Sequence, residues 1–385
     1  MTQDVVVAAT GMIPFSKQLP GSVDTLAAAA VLDLLRTSGL DPNLIGEAYV
    51  GTAKGGSLVG QRALRFAGLA NGMPIFNVEN ACASSAVAFH LAQRSVAAGH
   101  TDCALVVGVD QLSNLGKGAL PVQETEWDGR VGVTNPVVYA MRAQRYLHDT
   151  DATVEDLAAV SVKSRAFAAR NPVAQMRTTT TIEEVLASRP VADPLTMFQC
   201  SPKSDGAAAL VVMSRERAAS VELTGPVVRA SEVRSGEFSM AARDITRPDI
   251  TLRAAGAAYE RAGLGPDDLD VVELHDAFTI AELLYTEELG LCEDGAGAHY
   301  LRSGASADLG GGRGAVVNPS GGLLSRGHPI GATGAAQIVE LTQQLTGRSG
   351  DRQRRGARAG LAHVTGGGAS GFDNGACCVT ILTAD

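Results

Sequence analysis

Four side chains define the chemistry open to this chain: one thiol, Cys82, and three imidazoles, His275, His328 and His363. Cys82 sits in Asn80-Ala-Cys82-Ala-Ser-Ser85, after an apolar stretch that ends at Val78 and before a run of small residues. That context delivers the thiol from a strand to the first turn of a helix. Unpaired backbone N–H groups and the positive end of the helix dipole favour a thiolate there, and a thiolate attacks carbonyl carbon. An isolated cysteine is more often buried packing, so the histidines decide the reading. His328 lies in Gly321-Gly-Leu-Leu-Ser-Arg-Gly-His328-Pro-Ile-Gly-Ala-Thr-Gly334, ringed by glycines, with Pro329 fixing the backbone after it. An imidazole beside a thiol can take its proton and later return it.

His275 ends the strand-like Val271 to Leu274, and Asp276 after it is placed to cap a following helix. A neutral imidazole at that position can donate to an oxygen that becomes negative. His363 precedes Gly366, Gly368 and Gly371, whose spacing matches G-x-G-x-x-G. A dinucleotide fingerprint needs a helix next, whereas Phe372 to Leu382 reads as a strand, so that motif is rejected. A glycine turn with free N–H groups at Gly366 and Gly367 suits an oxyanion hole instead. A satisfied structural role is the plain alternative for each histidine.

The elements that must position these groups alternate between strand and helix. Val5 to Ala9, Glu47 to Gly51, Pro74 to Val78 and Cys103 to Val109 read as strands, Thr25 to Thr37 and Ala83 to Ala98 as helices. Gly39 and Gly99 stand just past the two helices, where a left-handed residue ends a helix. After residue 226 the pattern returns. Thr251 through Pro266 parallels Thr25 through Pro42, and the helix Ala332 to Leu345 parallels Ala83 to Ala98. The strands Ala362 to Thr365 and Ala376 to Leu382 close the second unit. The expected fold class is α/β, built from two pseudo-repeated halves, residues 1–113 with 205–226 and residues 227–385. Between them, residues 114–204 change texture, with Trp127, the helix-like Val137 to Leu147 and the polar Thr178 to Thr181, and read as an inserted loop domain over one face. By the repeat, His328 opens the helix equivalent to that of Cys82, so the two side chains should converge.

Composition narrows the function classes. A net charge of −9 and a pI near 5.3 oppose binding to nucleic acid, which needs clustered Lys and Arg. The one dense basic run, Arg352 to Arg358, reads as a solvated loop. There is no signal-peptide pattern and no apolar run near the ~18 residues of a membrane span, so a cytoplasmic protein is expected. Six cysteines without paired C-x-x-C spacing argue against a metal site and, in a reducing compartment, against disulfides.

In their order and spacing, four blocks resemble the thiolase superfamily over nearly the whole chain. They are Asn80-Ala-Cys82-Ala-Ser-Ser85, His275-Asp-Ala-Phe278, Gly327-His328-Pro-Ile-Gly-Ala-Thr-Gly334 and the glycines after His363. The His-Asp form of the second block is similar to the sterol-carrier-protein-type branch, as are Arg189-Pro-Val-Ala-Asp-Pro194 and Ser204-Asp-Gly-Ala207. The resemblance implies a five-layered αβαβα thiolase fold, usually dimeric. It implies two-step acyl transfer from acyl-CoA in the Claisen or thiolytic direction, with the coenzyme A thioester as substrate and no further cofactor. Cys82 would take the acyl group, His328 would be its base, and His275 with His328 would hold the second oxyanion. The first oxyanion would meet N–H groups of Cys82 and of the turn at Gly366 and Gly367.

One departure stands out. Most thiolases carry a second cysteine for acid–base work in one of two places, and here those places hold His363 and Ala277. Cys377 and Cys378, on the last apolar strand, are poor substitutes, so the final proton transfer falls to a histidine. Related branch members acylate other carbon nucleophiles or cleave aldol adducts, and several work with a small OB-fold and zinc-ribbon partner. The resemblance thus implies a homodimer and leaves room for such a partner. A non-catalytic scaffold and a carbon–carbon lyase stay open as alternatives, although aldol-cleaving relatives generally lack the nucleophilic cysteine.

Overall fold

The structure, a computed structural model, describes residues 3–69, 72–116, 118, 120, 130–237, 244–247, 249–370 and 373–385. The first half runs β1 (Val5–Met12), α1 (Val23–Ser38), β2 (Glu47–Gly51), α2 (Val59–Phe66), β3 (Ile75–Val78), α3 (Ser84–Ala97) and β4 (Cys103–Gln111). The middle stretch supplies α4 (Asn135–Asp149), α5 (Val154–Ala168), α6 (Ile182–Leu186), β5 (Pro190–Ala192) and β6 (Leu195–Thr196). The chain returns through β7 (Asp205–Ser214) and α7 (Arg215–Ser220). The second half is β8 (Val227–Ser235), α8 (Asp249–Ala262), β9 (Val271–Glu273), α9 (Thr279–Glu288), α10 (Gly297–Arg302), β10 (Val316–Val317), α11 (Thr333–Leu345), β11 (Ala359–Ser370) and β12 (Asp373–Thr383). Trp127 and Phe372 lie outside the described residues.

The strand order β10-β9-β11-β12-β8-β1-β7-β4-β2-β3 has mirror logic. Read outward from the centre, β1-β7-β4-β2-β3 is matched element for element by β8-β12-β11-β9-β10. The two halves meet through one residue pair, Val6 with Val227, so the ten strands form one hydrogen-bonded sheet around a pseudo-twofold. The first helices correspond as well. Ser22 caps α1 through a reciprocal bond with Thr25, and Gly39 ends it at φ 68°. Gly263, just past α8, adopts φ 65°, a conformation glycine reaches without steric cost.

Alternation along the strands sorts the core into layers. Leu105 and Val107 of β4 pack outward with Leu34 of α1 and Leu64 of α2. Ala104 and Val106 face inward, where Phe89 of α3 and Ile338 and Leu341 of α11 fill the space before Val271 and Ala362 of the second half. The far face of those strands meets α8, α9, α4 and α5. The result is helix, sheet, helix, sheet, helix, with α3 and α11 sandwiched. Helix α11 is therefore buried nearly all round, its polar Gln337, Glu340 and Gln344 included, and only Gln343 of its thirteen residues is not buried. Truncating one of its buried leucines costs about 2–5 kcal/mol. The two central helices approach so closely that a Cβ on Gly334 would lie 2.6 Å from the Ala86 backbone nitrogen.

Two expectations change here. The glycine run after His363 is no turn, because β11 continues through it to Ser370 and pairs with β12, Gly366 opposite Ala376 and Gly368 opposite Asn374. The basic run is solvated only in part: Arg355 and Arg358 are exposed. Arg352 and Arg354 are buried, Arg352 Nη2 donating to Glu340 Oε2 at 2.9 Å and Arg354 Nη2 to the Gly312 carbonyl at 2.6 Å. Among the described residues, no helix is long and apolar enough to cross a membrane.

Candidate active site

Strand β3 ends at Val78, and the chain then makes a 3₁₀ turn, Ala81–Ala83, before α3 begins at Ser84. Cys82 thus sits in this turn, ahead of the helix and not in its first α-helical turn. Ala81 is held at φ 48°, a left-handed conformation that costs a non-glycine residue about 1–2 kcal/mol. The turn is braced by the Ala81 N–H to Glu79 Oε1 (2.8 Å) and the Ser84 hydroxyl to the Ala81 carbonyl (2.6 Å). Strand β11 lies directly over it. A Cβ on Gly366 would come within 2.2 Å of the Asn80 carbonyl oxygen, so only glycine fits. Gly367, at φ 60°, falls between the ladder pairs and directs its N–H to the Cys82 sulfur, which the N–H of Cys82 itself also meets.

Those donors do not produce a resting thiolate. Burial pushes the Cys82 thiol up to about 12, and Asp110 and Glu79 add to the rise, while the N–H groups of Gly367 and Cys82 oppose it. The expectation of an acidic thiol therefore fails on magnitude: loss of hydration outweighs a few backbone donors. The residue is nevertheless half-buried rather than sealed.

Both imidazoles that converge on the thiol come from the second half. One ring nitrogen each of His275 and His328 and the Cys82 sulfur all lie within 4.8 Å of one another. The two rings meet edge to face, centroids 5.2 Å apart and planes at 82°. His328 Nδ1 is 2.8 Å from the Thr333 hydroxyl, whose own proton goes to the Pro329 carbonyl at 3.2 Å. With that proton committed, Nδ1 is the donor and Nε2 keeps its lone pair for the thiol. Burial, aided by the charge of Arg326, pulls His328 down to about 3, so it rests neutral. His275 is driven well below its ordinary value by burial and by the other two imidazoles. The resting site is a neutral thiol beside two neutral bases.

His363 is not part of this group. Its Nε2 meets the Thr251 hydroxyl at 3.1 Å and its ring packs on Tyr285, centroids 4.5 Å apart, in the layer behind β11. Ala277 is buried in the His275 segment. Cys378 packs beneath the Cys82 turn with Ala83 and Ala86, and Cys377 faces the opposite core. Neither sulfur reaches the group.

Residues that chemistry alone did not single out hold the site together. Asp276 does not cap α9; its Oδ1 accepts the Leu323 N–H at 2.6 Å and ties the His275 segment to the π-helical turn Gly322–Arg326 ahead of His328. Ser204 accepts the His328 N–H at 2.8 Å. Asp110, at the end of β4, accepts from Gly331 N–H (2.6 Å), Lys54 N–H (2.8 Å) and the Thr52 hydroxyl (2.9 Å), pinning the second half's turn to the first half. Ser164 of α5 donates to the Gly321 carbonyl at 2.6 Å, and Asn171 Nδ2 to the Ser320 carbonyl at 2.8 Å. The Ser204-Asp-Gly block was visible as a pattern. Gly331 lies 221 residues from Asp110 and Gly321 lies 157 from Ser164, so these contacts leave no local mark. A cavity of about 300 Å³ bordered by Asp33, Asn171, Arg326 and Glu340 is separate, since none of Cys82, His275 and His328 lines it.

A thiol nucleophile flanked by two neutral imidazoles and by free backbone donors, on a pseudo-twofold αβαβα frame, defines an acyl-transfer enzyme of the thiolase class. The comparisons agree. The family model for the N-terminal domain of thiolase matches residues 5–216, and the model described as thiolase C-terminal domain-like matches residues 231–373. The chain is 43% identical over 373 residues to the benzoylsuccinyl-CoA thiolase subunit BbsB of Thauera aromatica, covering 96% of each chain. It is 37% identical to the acetyl-CoA acetyltransferase of Methanothermobacter thermautotrophicus, over 95% of this chain and 97% of that one. Human sterol carrier protein 2 is 35% identical over 95% of this chain and 70% of its own length. A solved structure described as the Ltp2-ChsH2(DUF35) aldolase superposes with a TM-score of 0.83 at 27% identity, covering 99% of this chain and 98% of that one.

The chain belongs to the thiolase family. Its Cys82, His275 and His328 are the group of an acyl-CoA C-acyltransferase.

Proposed function

We propose that the enzyme works by a two-step mechanism in which the thiol is deprotonated only as it attacks. What carries this reading is the placement of two neutral imidazole nitrogens and one neutral thiol within 4.8 Å of one another. His328 Nε2 removes the Cys82 proton while sulfur adds to the thioester carbonyl. The oxyanion rests on the N–H groups of Cys82 and Gly367, each such donor supplying roughly 3 kcal/mol. Collapse expels the CoA thiolate, which takes the proton back from His328, and the acyl group stays on Cys82. In the second step the acceptor, a carbon nucleophile or the thiol of CoA, gives up its proton to an imidazole. His275 donates to the enolate or ketone oxygen. With Ala277 in the His275 segment and Cys377 and Cys378 out of reach, the histidines hold both proton-transfer duties. Gly366 serves by letting β11 approach, and His363 by packing behind it.

The substrate class we favour is a branched or aromatic β-ketoacyl-CoA cleaved by CoA, a reading supported by the 43% identity to a benzoylsuccinyl-CoA thiolase subunit. That relative is described as a subunit, and the aldolase is described with ChsH2(DUF35), so a partner protein of the OB-fold and zinc-ribbon kind fits this chain too. A homodimer is supported by β3, an edge strand whose Phe76 stacks on Tyr49 while staying 45% exposed. Six cysteines, none of them paired, fit a reducing cytoplasm.

Intact-protein mass after incubation with short acyl-CoA tests the mechanism. Wild type should gain one acyl group and Cys82→Ala none. An equal gain on both proteins would refute Cys82 as the acceptor.

A further inference from the structure

We infer that Cys82, His275 and His328 form a binding site for a zinc-like d¹⁰ cation, which would shut the enzyme reversibly by occupying its nucleophile. The inference rests on geometry and goes beyond the acyl-transfer reading, with which it shares the three side chains. One thiolate and two imidazoles are a ligand set that zinc accepts, with Zn–S about 2.3 Å and Zn–N about 2.0–2.1 Å. In a tetrahedral site those lengths put the ligand atoms ~3.3–3.6 Å apart. Here all three already lie within 4.8 Å. Closing the set therefore shortens each separation by at most about 1.5 Å.

Two independent observations point to a ligand. His275 is 3% exposed, and among the described residues neither of its ring nitrogens has a hydrogen-bond partner; Nδ1 in particular is fully enclosed and unsatisfied. With no protein partner on the ring, His275 is free to offer a lone pair to a cation. His328, by contrast, already has the arrangement of a metal ligand: Nδ1 is held by Thr333, which fixes the ring and leaves Nε2 to coordinate. The half-buried side of Cys82 leaves a fourth position for water or for an incoming thiol. Binding is a proton exchange without redox change. The S–H bond breaks, the S–Zn bond forms, both imidazoles donate lone pairs, and one proton leaves to solvent.

Cobalt(II) as a coloured stand-in for zinc, added to the full-length reduced protein, tests this. The expected result is one equivalent bound with a thiolate-to-cobalt charge-transfer band that zinc displaces. That band should be absent in Cys82→Ser, and zinc should slow alkylation of Cys82 by iodoacetamide until a chelator is added. Thr333→Val keeps all three ligands and should weaken cobalt binding about 10–100-fold by freeing the His328 ring. The inference is overturned if wild type shows no such band, if the Cys82→Ser protein binds cobalt with wild-type affinity and spectrum, or if zinc leaves the alkylation rate unchanged. The two readings separate cleanly: a protein that forms the band but takes no acyl group refutes the transferase mechanism alone. One that is acylated without forming the band refutes the metal site alone.

Discussion

The two halves present the same device, a 3₁₀ turn opening a sandwiched helix, and use it in opposite ways. In the first half the turn is Ala81–Ala83 ahead of α3; in the second it is Ile330–Ala332 ahead of α11. Position for position, Cys82 corresponds to Gly331, so His328 precedes the turn by two residues and is not the counterpart of the nucleophile. The first turn is half-buried, and its one free N–H, that of Cys82, meets the sulfur together with the Gly367 N–H of β11. The second is fully buried, its Gly331 N–H consumed by Asp110. A Cβ at Gly331 would lie 2.6 Å from the Thr52 Cα, so no side chain can stand where Cys82 stands in the other half. One copy keeps its donors for a substrate, while the other spends them holding the halves together and delivers bases instead.

The comparison breaks first at Gly366. In Gly366→Ala the added methyl meets the Asn80 carbonyl, β11 must lift, and the Gly367 N–H leaves the sulfur. Loss of one oxyanion donor predicts a fall in kcat of about 10²–10³-fold with the fold retained, read by steady-state kinetics alongside circular dichroism. Activity within tenfold of wild type would mean that the first turn does not rely on β11. Gly331→Ala probes the other copy. Overpacking against Thr52 should lower stability by about 1–3 kcal/mol in urea denaturation, with kcat for the remaining folded enzyme changing far less. If kcat collapses while stability holds, the second turn has a chemical role that its occupied donor denies.

Acid sharpens the contrast, because the buried imidazoles belong to the second half. His328 and His363 are each pulled down to about 3 by burial, and His275 is lowered too. A histidine whose folded pKa is depressed contributes stability that is full above about 6.5, its unfolded value, and is lost as pH falls toward the folded one. Each one steepens the loss by up to about 1.4 kcal/mol per pH unit. His363→Gln should therefore flatten the slope of stability against pH between 6 and 4 by about one proton, measured by urea midpoints, whatever it does to absolute stability. An unchanged slope would show that His363 titrates normally. The smallest effect is expected at Ser164→Ala, which removes the donor to Gly321 from α5. About 1 kcal/mol of stability and a few-fold loss in kcat are predicted, while an unaltered enzyme would mean that the middle stretch does not brace the His328 turn.

Much of the fold could be read in advance because burial imposes local periodicity. The run Cys103-Ala-Leu-Val-Val-Gly108 is apolar at every position because β4 is covered on both faces, and the strand is observed at Cys103–Gln111. The repeated helix-glycine-strand units were visible at Gly39 and Gly263 because a left-handed cap demands glycine. Helix α5 and strand β8 were not visible. In α5 the apolar stripe is interrupted by Ser161, Lys163 and Ser164, which are buried to bind the backbone and side chains of residues far along the chain.

The order of the four chemical blocks, the identity of thiol and imidazoles, and the α/β pairing of the halves were all written in local sequence, since side-chain type and spacing are local properties. Which groups meet was not. His275 and His328, on the loops after β9 and ahead of α11, join Cys82, while His363, within β11, turns to Thr251 on α8, and only the packing of those elements decides it. The protonation state was decided there too. A helix start favours a thiolate, yet the thiol stays neutral, because hydration lost on burial is a property of everything packed around Cys82 and of no residue near it in the chain.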